Sequence, residues 1–252
     1  MNGLYMTDRG RVRPYNEDSG SFTPHGEMES HALAVVADGM GGHSAGDVAS
    51  AMSVRVMEYE WDETSKMTQE EWLSWLEKAM LYANKKVYEY AQQHKEYEGM
   101  GTTLTATVCV NDHLIVGNIG DSRVYHYSYD KDEFHQVTMD NSVSAELYRA
   151  GQITLDEAEN HPRKHMLTKA VGTNPGVSAD IYQTTWESGD RLLLCTDGLT
   201  NKLSDEMLHT LLKDNEDLQT AGQLMIDKAN ELGGEDNISL VIAEHDGERG
   251  RN

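Results

Sequence analysis

Two apolar, strand-like runs at 103–110 and 113–117 are separated only by Asn111-Asp112. Two residues suffice for a tight hairpin and are too few for a crossover, so the runs must pair antiparallel. Asn and Asp tolerate the left-handed backbone that such a turn needs. The next run, 122–129, begins at Asp121-Ser122 and predicts a second hairpin directly after the first. Further strands are predicted at 31–37, 191–195 and 237–244, rich in Val, Ile, Leu and Thr and bounded by Gly, Asn or Asp. Strands joined this closely argue against a doubly wound parallel sheet.

Helical spacing alternates with these runs. Leu73, Leu76, Met80, Ala83, Val87 and Tyr90 recur three or four residues apart, which predicts a helix over 69–94 with one stripe against a sheet. Helices are also expected at 45–59 and 218–232, the second stopped by Gly233-Gly234. Thr154 and Glu157 form a capping-box pattern before a short helix that Pro162 ends. Sheets with long helices packed on them make an α+β layered fold. No Pro/Ser-rich tract or long single-sign run divides the chain, so 1–252 reads as one domain, long enough to bury a core without disulfides.

The chain carries 43 acidic and 21 basic residues, a formal net charge of −22. Long-range repulsion of that size argues against nucleic acid or anionic lipid as a partner. Cys109 and Cys195 both lie inside apolar runs, as buried reduced thiols do, and a cytoplasmic location follows as the expectation. The N-terminus lacks a basic segment followed by an apolar one, and no run approaches the roughly 18 apolar residues that span a bilayer.

Against so acidic a background, only acids in unusual places carry a signal. Asp38, Asp121 and Asp197 follow apolar runs, and Asp236 precedes one, each beside a glycine or small polar residue. Carboxylates fixed at a sheet rim can converge on hard cations such as Mg²⁺ or Mn²⁺. The segment from Ala34 through Asp38-Gly39-Met40-Gly41-Gly42-His43 runs from a strand into a glycine loop. It has no Walker lysine, and Ser44 stands where a dinucleotide fingerprint needs Gly or Ala. A carboxylate beside an unshielded backbone carbonyl, as in Asp38-Gly39, suits a hard cation better, and Asp197-Gly198 repeats it. Glu17-Asp18 and Asp236-Asn237 add further carboxylates; two ions bridged by such acids can activate a water for in-line attack on phosphorus. Arg13, close to Glu17-Asp18, can present a planar guanidinium to a phosphoryl group.

These pieces, together with Gly101-Thr102-Thr103, Gly117-Asn118-Ile119-Gly120-Asp121-Ser122-Arg123, Leu167-Thr168-Lys169-Ala170-Val171-Gly172 and Asp236-Asn237-Ile238-Ser239, resemble the type 2C (PPM) metal-dependent protein phosphatases in their bacterial serine/threonine form. The resemblance runs through nearly the whole chain in the family's order. It implies a four-layer α-β-β-α sandwich of two antiparallel sheets flanked by helices, with two Mn²⁺ or Mg²⁺ ions at one end. Asp18, Asp38, the carbonyl of Gly39, Asp197 and Asp236 match the family's metal positions, and Asp121 with Asp197 matches a third. Arg13 matches the phosphate-binding arginine, and Glu17 an acid that holds metal-bound water. Residues 142–165, with 151–164 at their centre, match the variable flap beside the site.

The sequence departs from the family's pattern at two places. Met40 stands where some relatives carry a proton-donating histidine, which leaves the general acid open, with His43 nearby. Asp140-Asn141-Ser142 replaces a frequent Asp-His-Ser. The expected activity is hydrolysis of phosphoserine and phosphothreonine in proteins by a metal-activated water, on phosphoproteins that include a Ser/Thr kinase and its targets, by a monomer. A cysteine phosphatase is excluded, since neither Cys109 nor Cys195 has an arginine six residues on, and a calcineurin-like site by Ile119 after Gly117-Asn118. The alternatives are a catalytically silent phosphoprotein-binding module of the same fold, which would be expected to have lost metal aspartates, and a hydrolase of small phosphate esters.

Overall fold

The computed structural model describes residues 1–28, 30–41 and 45–247. In chain order these form β1 (Asn2–Asp8), β2 (Asp18–Pro24), β3 (His31–Met40), α1 (Ala45–Asp62), α2 (Gln69–Gln93), β4 (Gly101–Thr102), β5 (Leu104–Val110), β6 (His113–Ile119), β7 (Arg123–Ser128) and β8 (Glu133–Gln136). There follow α3 (Val143–Arg149), α4 (Leu155–Glu159), β9 (Asp180–Thr185), β10 (Arg191–Cys195), α5 (Asp197–Thr200), α6 (Asp205–Asp214), α7 (Leu218–Glu231) and β11 (Ile238–Glu244). One sheet has the order β1-β11-β10-β7-β8 and the other β2-β3-β5-β6-β9, with β4 added on β3. Every pairing is antiparallel.

Alternation along the strands builds the layers. Leu33, Val35 and Ala37 of β3 face α1 and α2, with Met57, Trp61, Trp72, Leu76 and Met80 packed on them. Their neighbours Ala32, Ala34 and Val36 point the other way and meet Val124, Leu192, Leu194 and Val241 between the sheets. Leu193, Cys195, Leu240 and Ile242 face α6 and α7. A strand covered on both faces is apolar throughout, which is why β3, β5 and β10 read as continuous runs rather than alternating ones. The result is the expected sandwich of two antiparallel sheets flanked by helices.

The first hairpin forms as expected: Asn111 takes φ 50° and β5 pairs with β6 from Val110↔His113 onward. The second does not. β6 pairs with β5 and β9, whereas β7 pairs with β10 and β8 in the other sheet. Gly120, at φ 113°, turns the chain across from one sheet to the other, and Asp121 sits on that crossing. The predicted helices are present, with α1 extending to Asp62, and α4 has its capping box. Strands β1, β2, β8 and β9 are not among those predicted; in β2, Ser19-Gly20-Ser21 have low strand propensity, and the ladder to β3 holds them instead. Cys109 and Cys195 are buried and free, and burial pushes both thiols up to about 12. No helix among the described residues is long and apolar enough to cross a membrane.

Candidate active site

Strands β2 and β3 pair so that Asp18 lies directly opposite Asp38. Opposed residues on an antiparallel ladder share a face with their Cβ atoms about 5 Å apart, and like charges in that relation destabilise the pair. The protein nevertheless fixes both. The Asp38 amide donates to the Thr103 hydroxyl at 2.8 Å, and its carbonyl accepts from the Thr102 hydroxyl at 2.8 Å and the Thr103 amide at 2.9 Å. Asp18 is only 9% exposed; its Oδ2 accepts from the Thr196 hydroxyl at 3.0 Å, and its buried Oδ1 has no hydrogen-bond partner among the described residues.

The third and fourth aspartates come from the other sheet. Asp197 opens α5 after β10, its Oδ2 accepting from Asn201 Nδ2 at 3.0 Å with His165 Nδ1 at 3.6 Å. Asp236 precedes β11; Oδ1 accepts from the Asn237 amide at 2.9 Å, and Oδ2 from Arg13 Nη2 at 2.8 Å. Both Asp-Gly pairs owe their glycine to another backbone. A Cβ on Gly39 would lie 2.2 Å from the Gly46 carbonyl oxygen, and one on Gly198 only 1.9 Å from that of Asn237. Thus the glycines let α1 and β11 close on the segments that carry the aspartates.

Arg13, Glu17, Asp38, Gly39, Asp121, Asp197 and Asp236 line one open cleft of about 830 Å³, with Asp18 buried behind it. Arg13 is ion-paired with Asp236 as well as facing the cleft. Burial raises the carboxyl of Asp18 to about 7, and burial with the neighbouring Asp197 raises Asp121 to about 8. Asp38 is pushed well above the usual carboxylate range by burial and then by Asp18 and Asp197. Burial, then Asp47, raises Glu17. Among the described residues no three His, Cys, Asp or Glu side chains close around one point tightly enough to hold an ion alone. An all-oxygen set spread along a cleft suits a hard cation that keeps part of its water. The partnerless Asp18 Oδ1 and the mutual repulsion of the carboxylates fit the same conclusion, because a divalent cation relieves both.

The roles of several residues here are not legible in the sequence. Asn237 staples the N-terminal segment to β11: its Nδ2 donates to the carbonyls of Arg9 at 2.8 Å and Tyr15 at 2.9 Å, and its Oδ1 accepts the Glu17 amide at 2.8 Å. Thr196 holds Asp18. His165, raised by its contact with Asp197, stands with Lys164 and Lys169 on the cleft wall at the end of the flap region. No periodicity or motif marks Lys164 or His165, and Lys169 stands in a motif that gives no sign of its place on the cleft. Gly42 and His43 lie outside the described residues.

Comparison with known proteins gives the arrangement its family. Residues 14–225 match the family model described as protein phosphatase 2C. The chain is 40% identical to the serine/threonine phosphatase Stp of Listeria innocua over 97% of its own length and 96% of that protein's. It superposes on the serine/threonine phosphatase of S. agalactiae with a TM-score of 0.89 at 36% identity, covering 96% of this chain and 98% of that one. It also superposes on the catalytic domain of the phosphatase PstP in complex with two manganese ions, with a TM-score of 0.82 at 31% identity, covering 96% and 97%. The chain therefore belongs to the protein phosphatase 2C family, in its bacterial serine/threonine phosphatase form.

Proposed function

We propose that the chain hydrolyses phosphoserine and phosphothreonine in proteins, with Asp18, Asp38, the Gly39 carbonyl, Asp197 and Asp236 holding a pair of Mn²⁺ or Mg²⁺ ions and Asp121 with Asp197 offering a third position. The observation that carries this is the Asp18–Asp38 pair, two opposed carboxylates of which Asp18 is buried with one oxygen lacking a partner among the described residues, at a cleft that Asp38 lines together with three further aspartates. Bound there, the ions would supply Lewis acidity toward water and the phosphoryl oxygens.

The chain's own groups do the rest. Thr196, Thr102 and Thr103 fix Asp18 and the Asp38 backbone, so the carboxylates need not reorganise when charge arrives. Arg13 donates one N–H to Asp236, which orients the guanidinium and leaves its remaining donors for a phosphoryl group. Glu17 is positioned through its backbone by Asn237 and Gly39, with its carboxyl on the cleft. The flap, 142–165, carries α3 and α4 and ends at His165 on the cleft wall, where it would tune substrate choice. In this proposal residues 1–252 act as one phosphatase domain, a cytoplasmic monomer that opposes a Ser/Thr kinase. The test is phosphate release from a phosphothreonine peptide with and without Mn²⁺, for the wild type and Asp38→Ala. Turnover that needs no metal, or an unimpaired variant, would end the proposal.

A further inference from the structure

Helices α6 and α7 leave between them an open groove of about 530 Å³, lined by Met207, Leu211 and Leu224 and bordered by Glu206, Asp227 and Glu231. The helices bury Leu208, Leu212, Ala221, Met225 and Ile226 against the sheet, with Met207 and Leu211 half-buried at the edge of that cluster and Leu224 outside it. Leu224 is 40% exposed. Lys228, a cation of the same lining, is held by Glu231 at 3.0 Å, so the border presents net negative charge to a visitor.

That charge selects the occupant. A second copy of this chain would bring the same acidic border and a net charge of −22 against it. Anionic lipid would be repelled in the same way. An apolar floor with an acidic border fits a peptide that offers one aliphatic anchor flanked by Lys or Arg.

The groove also lies close to the catalytic cleft. Glu206 is four residues from Lys202, and Glu231 four residues from Glu235, and Lys202 and Glu235 line the cleft and pair with each other. Four residues of chain span at most about 14 Å, so both sides of the groove begin within that distance of the cleft rim. We propose that the α6–α7 groove is a substrate-docking site that binds a basic segment with an aliphatic anchor, on the same phosphoprotein whose phosphoresidue enters the cleft. This rests on the phosphatase activity proposed above. Tethering makes the second encounter intramolecular and lowers KM, while kcat is untouched because the groove contacts no reacting group.

The test uses phosphothreonine peptides identical around the phosphosite, plain or extended through a Gly-Ser linker by a Lys/Arg segment carrying one Leu. Burial of one leucine predicts that the extension lowers KM about tenfold at unchanged kcat. Replacing that Leu by Ala, or the basic residues by Glu, should remove the gain, as should Leu224→Glu or Glu231→Lys in the enzyme. Both variants should hydrolyse the plain peptide and p-nitrophenyl phosphate as the wild type does. Equal KM for plain and extended peptides overturns the docking site, as does a gain that survives Leu224→Glu. So does a dimer, or binding to anionic vesicles, that Leu224→Glu abolishes. Should the wild type hydrolyse no phosphopeptide, the phosphatase proposal fails by itself. Titration of the unphosphorylated extension into wild type and Leu224→Glu then decides the groove separately.

Discussion

The two ends of the sandwich both bury polar atoms without partners, and they do so for opposite reasons. At one end, β2 and β3 bring Asp18 and Asp38 together, and Asp18 Oδ1 has no partner among the described residues. At the other end of the same strands, His25 just after β2 and His31 at the start of β3 pack on Trp61 and Trp72 with ring centroids 5.2 and 5.8 Å apart. There the indole Nε1 atoms of both tryptophans, His25 Nε2 and His31 Nδ1 lack partners among the described residues. A neutral N–H left unsatisfied costs about 1–3 kcal/mol, and a buried tryptophan offsets it with about 150–250 Å² of buried surface. An unpaired carboxylate has no such offset and must take a proton or a cation. The aromatic end therefore stabilises the fold, and the acidic end holds repulsion that a cation relieves.

The sharpest separation of the two ends is expected from Asp38→Ala. Activity with Mn²⁺ should fall about a thousandfold or more, while the metal-free variant melts above the metal-free wild type because one of two opposed carboxylates is gone. A variant that melts lower would show that the acidic end is not under repulsion. The mirror experiment is Trp72→Ala. Trp72 is fully buried and touches Trp61 and Trp75, so unfolding free energy should drop by about 3–5 kcal/mol in denaturant titration. The turnover of the folded protein should stay near that of the wild type. A large loss of kcat would mean that the ends are coupled.

Acidity gives a third way to test the contrast. Asp18 and Asp121 are raised to about 7 and about 8 by burial and neighbouring carboxylates, against an ordinary value near 4. Below pH 4 the folded and unfolded chains both hold these protons. Above it the unfolded chain releases them first, so the metal-free protein loses stability as pH rises toward 8. With chelator, the melting temperature should fall by roughly 5–10 °C between pH 5 and 8. Saturating Mn²⁺ should flatten that slope, and Asp18→Asn should make it shallower. A slope as steep in Asp18→Asn as in the wild type would assign it to net charge instead.

How far the sequence reveals each end follows from the same physics. Strands buried on both faces, such as β3 and β10, announce themselves by apolar runs, and the acids that end them stand out by contrast. Asp18 is different: its strand reads Asp18-Ser19-Gly20-Ser21, with no apolar pattern, and only the ladder to β3 makes it a strand. Its place opposite Asp38 is a matter of register, which no local pattern encodes. The second hairpin failed for a related reason. A short link between strands permits a crossing to the facing sheet as readily as a turn back, and Gly120 allows that crossing. His165 and the aromatic cluster depend on contacts between distant segments.

Asn141 yields the smallest effect and the most specific one. Its amide donates to the Gly120 carbonyl at 2.8 Å, its Oδ1 accepts the Gly120 amide at 3.0 Å, and its carbonyl accepts the Thr168 amide at 2.8 Å. Its Nδ2 donates to Asp180 at 2.7 Å. The buried side chain therefore ties the crossing that carries Asp121 to Asp180 at the start of β9, while the backbone of the same residue holds Thr168. In Asn141→Ala the Gly120 amide and Asp180 lose this partner, which should cost about 1–3 kcal/mol of stability. Because Asp121 is displaced rather than removed, the functional loss should fall on metal: half-saturation by Mn²⁺ should rise about tenfold, with kcat recovered at saturation. Asn141→Asp should do worse, since it sets a second carboxylate against Asp180 where an amide donor stood. A loss of kcat that no concentration of Mn²⁺ restores would show that the clamp serves the flap and the substrate instead of Asp121.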